Sequence, residues 1–152
     1  MEIVEATHAD VNDRFMKLAA EFYASTKLSD IAPFSRKACE DLVHKTINEE
    51  TALMLVAKHE GMIVGMIGMH LVLSPFSEEC IIANELFWYV DKDHRKTGVG
   101  LTLINRALSW AEENLADVVY FVAIEDPDMG TVKKIYEKKK FVPVEHGFMR
   151  RL

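Results

Sequence analysis

The sequence lacks several features that mark specialised classes of protein. It has only two cysteines, Cys39 and Cys80, without CxxC or Cys/His spacing, and its six histidines lack metal-ligand spacing. Both cysteines lie in apolar surroundings and are interpreted as reduced thiols of an intracellular protein. No run of about 18 apolar residues occurs, and the N-terminus has neither the basic start nor the apolar run of a signal peptide. The sequence therefore predicts a cytoplasmic protein that neither crosses a membrane nor holds a metal.

A basic surface is also missing. The chain has 18 Lys and Arg residues against 24 Asp and Glu residues, which gives a formal net charge of -6, and no long basic run interrupts this balance. Proteins bind nucleic acids largely by neutralising phosphates, so a general affinity for nucleic acid is not expected. A negative field attracts a cationic partner, such as an amine, more readily than an anion.

What is present indicates one folded domain over residues 1–152, because 152 residues with 49% hydrophobic content match a single soluble domain. Helices are predicted after the capping residues Asp10 and Ser35, and the turn Glu60-Gly61 is predicted to join an antiparallel hairpin. The remaining pattern alternates strands and helices, which predicts one mixed-sheet α/β domain. The predicted strands span residues 3–6, 52–57, 62–73, 81–90, 118–124, 141–144 and 148–151, and further helices span 98–114 and 131–139.

The junction between the strand over 81–90 and the helix that follows is the most informative segment. Here Arg95 and Lys96 precede Gly98 and Gly100 at the start of a helix, where free N–H groups and the positive end of the helix dipole favour a phosphate. Glycines let the main chain approach a diphosphate closely. The P-loop pattern is absent, and the dinucleotide fingerprint GxGxxG fails because Leu103 occupies its third glycine position.

The remaining pattern, R-x-x-G-x-G from Arg95 to Gly100, resembles the pyrophosphate-binding signature of the GNAT superfamily of N-acetyltransferases. A second run, Tyr136-Glu137-Lys138-Lys139-Lys140-Phe141, is similar to the family's YEKxGF segment. The segment from Glu85 to Asp91 and the closing residues resemble small phage and bacterial members. The resemblance implies a single-domain α/β fold with a mixed, largely antiparallel central sheet flanked by helices on both faces.

The resemblance also implies an activity, the transfer of acetyl from acetyl-CoA to a primary amine by direct attack in a ternary complex. Main-chain groups of three strand residues would hold the pantetheine arm like an added strand, and the loop would cradle the diphosphate. Tyr136 would lie near the CoA sulfur. The implied cofactor-binding residues are Trp88, Tyr89, Val90, Arg95, Lys96, Thr97, Gly98, Val99, Gly100 and Leu101.

Two residues are predicted to carry the chemistry. Tyr136 is the candidate acid for the departing thiolate, although it could instead pack on a helix with its hydroxyl in water. Glu85 is the candidate base, because a carboxylate inside an apolar strand is costly unless it is paired or used. Its alternatives are a structural ion pair with a neighbouring Lys or Arg, or exposure where the strand splays, and Glu125 and Asp126 are rival carboxylates.

Two departures from the family pattern bear on these expectations. Met129 stands where many members have an asparagine, so that contact with CoA is expected to be lost or moved. Lys140 replaces a usual glycine and would cost about 1 kcal/mol if its φ is positive. The sequence leaves open the identity of the acceptor and a homodimer through exposed strand edges. It also leaves open an alternative function as a catalytically idle acyl-CoA-binding or regulatory module.

Overall fold

The computed structural model describes all 152 residues. It contains five strands, four α-helices and three short 3₁₀ turns, the last spanning His8–Asp10, Lys27–Asp30 and Lys92–Thr97. In chain order the main elements are β1 (Glu2–Glu5), α1 (Asp13–Ala24), α2 (Arg36–Asn48), β2 (Ala52–His59), β3 (Met62–Leu73), β4 (Ile81–Val90), α3 (Val99–Glu113), β5 (Val118–Tyr120) and α4 (Met129–Lys138).

The strands form one sheet in the order β1-β2-β3-β4-β5. The first four pair antiparallel, and only β5 runs parallel to its neighbour β4. The predicted hairpin between β2 and β3 is confirmed, since His59 pairs with Met62 across a two-residue turn. Both turn residues have positive φ, 51° at Glu60 and 79° at Gly61, as tight turns between right-twisted strands require.

Helices cover both faces of this sheet. On one face, Phe15 and Leu18 of α1 and Val43 of α2 are fully buried against the sheet. On the other face, Leu103 and Ala107 of α3 are equally buried. The largely antiparallel mixed sheet with helices on both faces is therefore confirmed. None of the helices combines the length and the apolar composition needed to span a membrane.

The first helix is capped by a different residue from the one predicted. Asn12, not Asp10, accepts bonds from the N–H groups of Arg14 and Phe15 at the start of α1. Asp10 accepts a bond from the N–H of Thr7 and pairs with Lys58 at 2.6 Å. Asp10 therefore closes the 3₁₀ turn before α1 and ties it to β2.

The C-terminal third forms less sheet than predicted. The strand expected over residues 118–124 ends at Tyr120, and no strand forms over 141–144 or 148–151. One reason is local, because Pro143 has no N–H to donate to a strand ladder. The segment over residues 141–151 still contacts β5, since the Tyr120 hydroxyl donates to Glu145 at 3.1 Å. Helix α4 begins at Met129, two residues before its predicted start.

Candidate functional site

The sheet opens between β4 and β5. The two strands pair only from Ile82 opposite Val118 to Asn84 opposite Tyr120, so the edge of β4 from Glu85 to Val90 has no strand partner on that side. A β-bulge lies at the same point, because Gly68 of β3 pairs with Phe87 while Met69 pairs with Glu85. A bulge bends its strand and increases its twist, which separates the strand from a neighbour.

The bulge also resets which way the side chains of β4 point. Leu86 and Phe87 are consecutive, yet both pack against the core beneath α1 and α2. Trp88 and Val90 then pack on the α3 side of the sheet. The extra residue therefore aligns the end of β4 with α3 and leaves Glu85 at the point where the two strands part.

Glu85 lies at this point with some solvent access, surrounded by enough protein that burial raises the pKa of its carboxyl from 4.5 to about 7. The opposing influence is a bond from the Val122 N–H to Glu85 Oε2 at 3.1 Å, which favours the charged form. No Lys or Arg pairs with Glu85 among the ion pairs of the chain. A structural ion pair therefore does not account for this carboxylate.

Tyr136 of α4 bonds to Val122, the residue that also bonds to Glu85. Its hydroxyl donates to the Val122 carbonyl at 3.0 Å, and the side chain is buried among aromatic rings. The ring centroids of Trp88, Phe121 and Phe141 lie 6.2, 5.7 and 5.5 Å from that of Tyr136. Burial, together with the nearby charge of Glu85, raises the pKa of Tyr136 well above its usual value. The hydroxyl is therefore protonated and hydrogen-bonded within the protein.

The two glycines of the loop are needed for different reasons. Gly98 has φ 83°, the left-handed conformation, and joins the 3₁₀ turn Lys92–Thr97 to α3. A Cβ at Gly100 would lie 3.0 Å from Cζ2 of Trp88 and 3.4 Å from Cγ2 of Val90. Gly98 therefore sets the direction of the chain into α3, while Gly100 lets α3 pack closely on β4.

The two cations of the loop are not equivalent. The Arg95 guanidinium donates to the Val90 carbonyl at 3.1 Å, forms an ion pair with Asp128 and lies 5.3 Å from the centroid of the Tyr89 ring. Arg95 therefore ties the loop to β4 and to the residue before α4. Lys96 is exposed and has no ion-pair partner. Of the two, Lys96 is the cation available to an anionic ligand.

The start of the loop is held by an ion pair between Arg14 of α1 and Asp91. Arg14 also donates to the Ile63 carbonyl at 2.8 Å, which links α1 to β3. Burial alone would raise the pKa of Asp91, but the bonds from Arg14 and from the Asp93 N–H outweigh it and hold that pKa below its usual range. The loop is therefore anchored at its first residue by Asp91 and in its middle by Arg95.

Arg14, Val122 and Asp128 were not predicted from the sequence. Val122 acts through its main chain, so its side-chain type carries no signal. The ion pairs of Arg14 and Asp128 join residues far apart in sequence, which spacing alone does not reveal. Of the rival carboxylates, Asp126 accepts a bond from the Asp128 N–H at 2.9 Å, and Glu125 is exposed. No three His, Cys, Asp or Glu side chains come close enough together to hold a metal ion.

The two departures noted in the sequence can be placed. Met129 is the first residue of α4. Lys140 has φ 64°, so the position does adopt the left-handed conformation that a glycine would occupy without strain. Its N–H donates to the Glu137 carbonyl at 3.0 Å, and the Phe141 N–H donates to the Tyr136 carbonyl at 3.0 Å. These two bonds form a Schellman motif with lysine in the position that favours glycine.

Two observations test whether acetyl-CoA fits these residues. The unpaired edge of β4 offers main-chain donors and acceptors beside the first turn of α3, whose N–H groups have no partner within the helix. The Nε1 atom of Trp88 is buried at the same place without a hydrogen-bond partner, which is costly unless something else satisfies it. An extended polar chain ending in a diphosphate would pair with the open edge of β4 and with these N–H groups of α3, so the residues fit the ligand.

Comparisons with known proteins agree with this geometry. Residues 14–140 match the model of the Acetyltransferase (GNAT) family. A similar solved structure, with TM-score 0.81 and 19% identity, is a mutant of the BH1408 protein from Bacillus halodurans, with coverage of 100% of this chain and 99% of that one. The ribosomal-protein-alanine N-acetyltransferase from Brucella melitensis biovar Abortus 2308 is 20% identical with TM-score 0.73, and each chain is covered completely.

A third similar structure holds a CoA-derived ligand. It is AAC(6')-Iy in complex with the bisubstrate analog CoA-S-monomethyl-acetylneamine, with TM-score 0.76, 12% identity and coverage of 99% of this chain and 97% of that one. No curated protein matches the sequence at a significant level. At these identities the structural similarity concerns the fold.

Proposed function

This chain belongs to the acetyltransferase (GNAT) family, and we propose that it transfers acetyl from acetyl-CoA to a primary amine by direct attack in a ternary complex. The observation that supports this most strongly is that Glu85 and Tyr136 both bond to Val122 where β4 and β5 separate. A titratable carboxylate and a protonated hydroxyl thus lie together at an open strand edge, beside the N-terminus of α3. Residues 1–152 act as one catalytic domain in this proposal.

Acetyl-CoA supplies the thioester, and the residues of this chain move the protons. A carboxyl with a pKa of about 7 is ionised above that pH and accepts a proton from the attacking amine, directly or through water. The new N–C bond then forms as the C–S bond breaks. The hydroxyl of Tyr136 donates a proton to the departing thiolate, which requires it to exchange its bond to the Val122 carbonyl, and the proton that Glu85 took from the amine then restores the hydroxyl. Main-chain N–H groups on the open edge of β4 are available to the developing oxyanion.

Binding uses the neighbouring elements. The main chain of Trp88, Tyr89 and Val90 pairs with the pantetheine arm, and the loop from Arg95 to Leu101 encloses the diphosphate. In this arrangement Lys96 supplies charge, while Arg95 positions the loop through Val90 and Asp128. We place this activity in the cytoplasm, because Cys39 and Cys80 are both unpaired. The absence of nucleic-acid binding stays a prediction, and the sequence leaves a homodimer open.

The experiment that tests the function is release of CoA thiol from acetyl-CoA across a panel of amines, with acetyl-CoA affinity measured in parallel by calorimetry. We expect amine-dependent release. Binding without turnover for any amine would overturn the enzyme and support the alternative, an idle acyl-CoA-binding or regulatory module. One structural feature favours that alternative, namely that the Tyr136 hydroxyl is already engaged by Val122.

Variants of the loop test the binding site itself. Gly98→Asp places a carboxylate in open space beside the proposed diphosphate site and is expected to abolish acetyl-CoA binding while the domain stays folded by circular dichroism. Gly100→Asp directs its side chain at Trp88 and is expected to abolish binding together with the close packing of α3 on β4. Leu115→Asp is the control, since it adds the same charge at an exposed position just after α3, at the end of that helix away from the loop. Unchanged affinity in both loop variants would overturn the loop assignment.

A further inference from the structure

A second cleft lies apart from the loop and is lined by the C-terminal segment. It has a volume of about 600 Å³ and is lined by Lys27, Asp30, Ile31, Glu125, Gly147, Phe148, Met149 and Arg151. It shares no residue with the proposed acetyl-CoA site. We call it the C-terminal cleft.

Two cations and two carboxylates line the C-terminal cleft. Lys27 and Asp30 are three residues apart on a 3₁₀ turn, where side chains at that spacing lie on the same side. Glu125 and Arg151 contribute the other two charges. None of the four takes part in the ion pairs of the chain, so each remains available to a ligand.

The rest of the lining is apolar and exposed. Phe148 is 97% exposed, Met149 53% and Ile31 41%. Large apolar side chains that face solvent together beside charged groups are typical of a binding surface rather than of a core. The cleft therefore combines an apolar surface with charges of both signs.

The C-terminal cleft lies close to the proposed catalytic residues along the chain. Glu125 is three residues after Val122, whose main chain bonds to both Glu85 and Tyr136. Three residues of extended chain span at most about 10 Å. Glu125, on the lining of the cleft, therefore lies within about 10 Å of the residue that bonds to both Glu85 and Tyr136.

Resting on the proposed acetyltransferase function, we propose that the acceptor is a small zwitterion with an apolar body, that is, an amino acid with an apolar side chain. Asp30 and Glu125 attract its ammonium group and direct it toward Glu85. Lys27 and Arg151 bind its carboxylate, and Phe148, Met149 and Ile31 contact its side chain. Acetylation then removes the charge of the amine, which weakens the hold of the two carboxylates on the product.

The balance of charge argues against a polycationic acceptor. Each additional ammonium group would need a further carboxylate, whereas the lining offers two carboxylates beside two cations. A neutral or singly charged amine without a carboxylate would leave Lys27 and Arg151 without a partner. An amino acid satisfies both signs with one molecule.

The test compares four acceptors that differ in one feature each: L-phenylalanine, its amide, phenethylamine and spermidine. We expect kcat/KM for phenylalanine to exceed that for phenethylamine and for the amide by about tenfold or more, as one favourable ion pair would provide. Lys27→Glu and Arg151→Glu are expected to raise the KM for phenylalanine by about tenfold and to lower the KM for phenethylamine, because its ammonium group gains a carboxylate and loses a repelling cation. Arg106→Glu, on the exposed side of α3, is the matched charge control.

The outcomes separate this inference from the function on which it rests. Faster turnover of spermidine, or equal turnover of phenylalanine and its amide, would overturn the zwitterion and leave the acetyltransferase standing. Acetyl-CoA binding without turnover of any of the four amines would overturn both. Direct binding of phenylalanine, followed by saturation-transfer NMR in the wild type and in Arg151→Glu, gives a readout that does not depend on catalysis; equal binding by the two would also overturn the inference.

Discussion

Glu85 and Tyr136 are joined through the main chain of a single residue. The N–H of Val122 donates to Glu85 at 3.1 Å, and the carbonyl of Val122 accepts from the Tyr136 hydroxyl at 3.0 Å. The path of the chain just after β5 therefore fixes both side chains. It also couples their protonation, because burial and the charge of Glu85 together raise the pKa of Tyr136.

Glu85→Gln should change the pH dependence of both activity and stability. In the wild type the rate should rise as pH increases through about 7, because the base is then ionised. The folded pKa lies above the unfolded value of 4.5, so the folded state binds the proton more tightly and loses stability as pH rises from 4.5 to about 7. The loss is at most about 3 kcal/mol and is reduced by the partial exposure of the side chain.

The measurements are the pH profile of kcat/KM and urea unfolding at pH 5 and pH 8. The glutamine variant should lose the rise in rate near neutral pH and should lose less stability between the two pH values than the wild type. Asp126→Asn, which changes a carboxylate that stabilises the turn before α4, is the control. A wild-type rate that is flat from pH 6 to pH 8 would contradict Glu85 as the base.

Tyr136→Phe should slow turnover and leave acetyl-CoA affinity nearly unchanged. It removes only the hydroxyl, whose lost hydrogen bond would cost about 1 kcal/mol of folding stability. The ring contacts with Trp88, Phe121 and Phe141 remain. Steady-state rates and calorimetry check the two effects separately. If turnover is equal to that of the wild type, the proton for the thiolate comes from another group.

The sequence predicted correctly several of the elements that local sequence patterns determine. Strands β3 and β4 have the bounds that their apolar runs and the flanking turns predicted, and Ser35 does cap α2. A carboxylate inside an apolar strand marked Glu85 as a candidate catalytic residue, and the family resemblance marked Tyr136. What joins them, the main chain of Val122, has no local signature, because any residue supplies the same N–H and carbonyl groups.

The errors have a common physical origin in tertiary contacts. The apolar run over 118–124 predicts a longer β5, but Val122 bonds to two side chains instead of to a strand. Arg95 has two long-range partners, the Val90 carbonyl and Asp128, which its place in the loop pattern does not reveal. These hydrogen-bond and ion-pair partners depend on which distant segments come together in the fold, and local sequence patterns do not specify those contacts.

Gly98→Ala and Gly100→Ala should destabilise the protein for different reasons. At Gly98 the cost is the left-handed φ of 83°, about 1 kcal/mol, with open space around the new Cβ. At Gly100 the new Cβ would meet the Trp88 ring at 3.0 Å, so that ring must move. Trp88 fluorescence in a Trp110→Phe background should change for Gly100→Ala and stay constant for Gly98→Ala.

Gly130→Ala is the control for this pair. Gly130 lies in α4 with nothing near its Cβ position, so alanine should be neutral or stabilising by up to about 1 kcal/mol. An unchanged Trp88 spectrum in Gly100→Ala would show that the close packing of α3 on β4 is not what requires this glycine.

Arg95→Ala and Lys96→Ala should separate loop structure from ligand charge. Arg95→Ala removes the bond to Val90 and the ion pair with Asp128, so the unfolding free energy should fall by about 1 kcal/mol. Lys96→Ala should change stability by less than about 0.5 kcal/mol, as is usual for an exposed substitution. The Lys96→Ala change should instead weaken acetyl-CoA binding, and the affinity that remains should depend less on salt concentration. An acetyl-CoA affinity in Lys96→Ala that equals the wild type at low salt would contradict this division of roles.

Lys140→Gly should stabilise the protein by about 1 kcal/mol, because glycine adopts the left-handed conformation without the steric cost that a Cβ incurs. The observed φ of 64° and the two bonds of the Schellman motif are retained in the variant, since both use main-chain atoms. Thermal and urea unfolding measure the gain. Lys139→Gly is the matched control: Lys139 has φ −91°, so glycine there only adds flexibility and should destabilise. If Lys140→Gly destabilised as much as Lys139→Gly, the lysine side chain would have to contribute more than the conformation costs, for example by covering the ring of Phe141 or Tyr136.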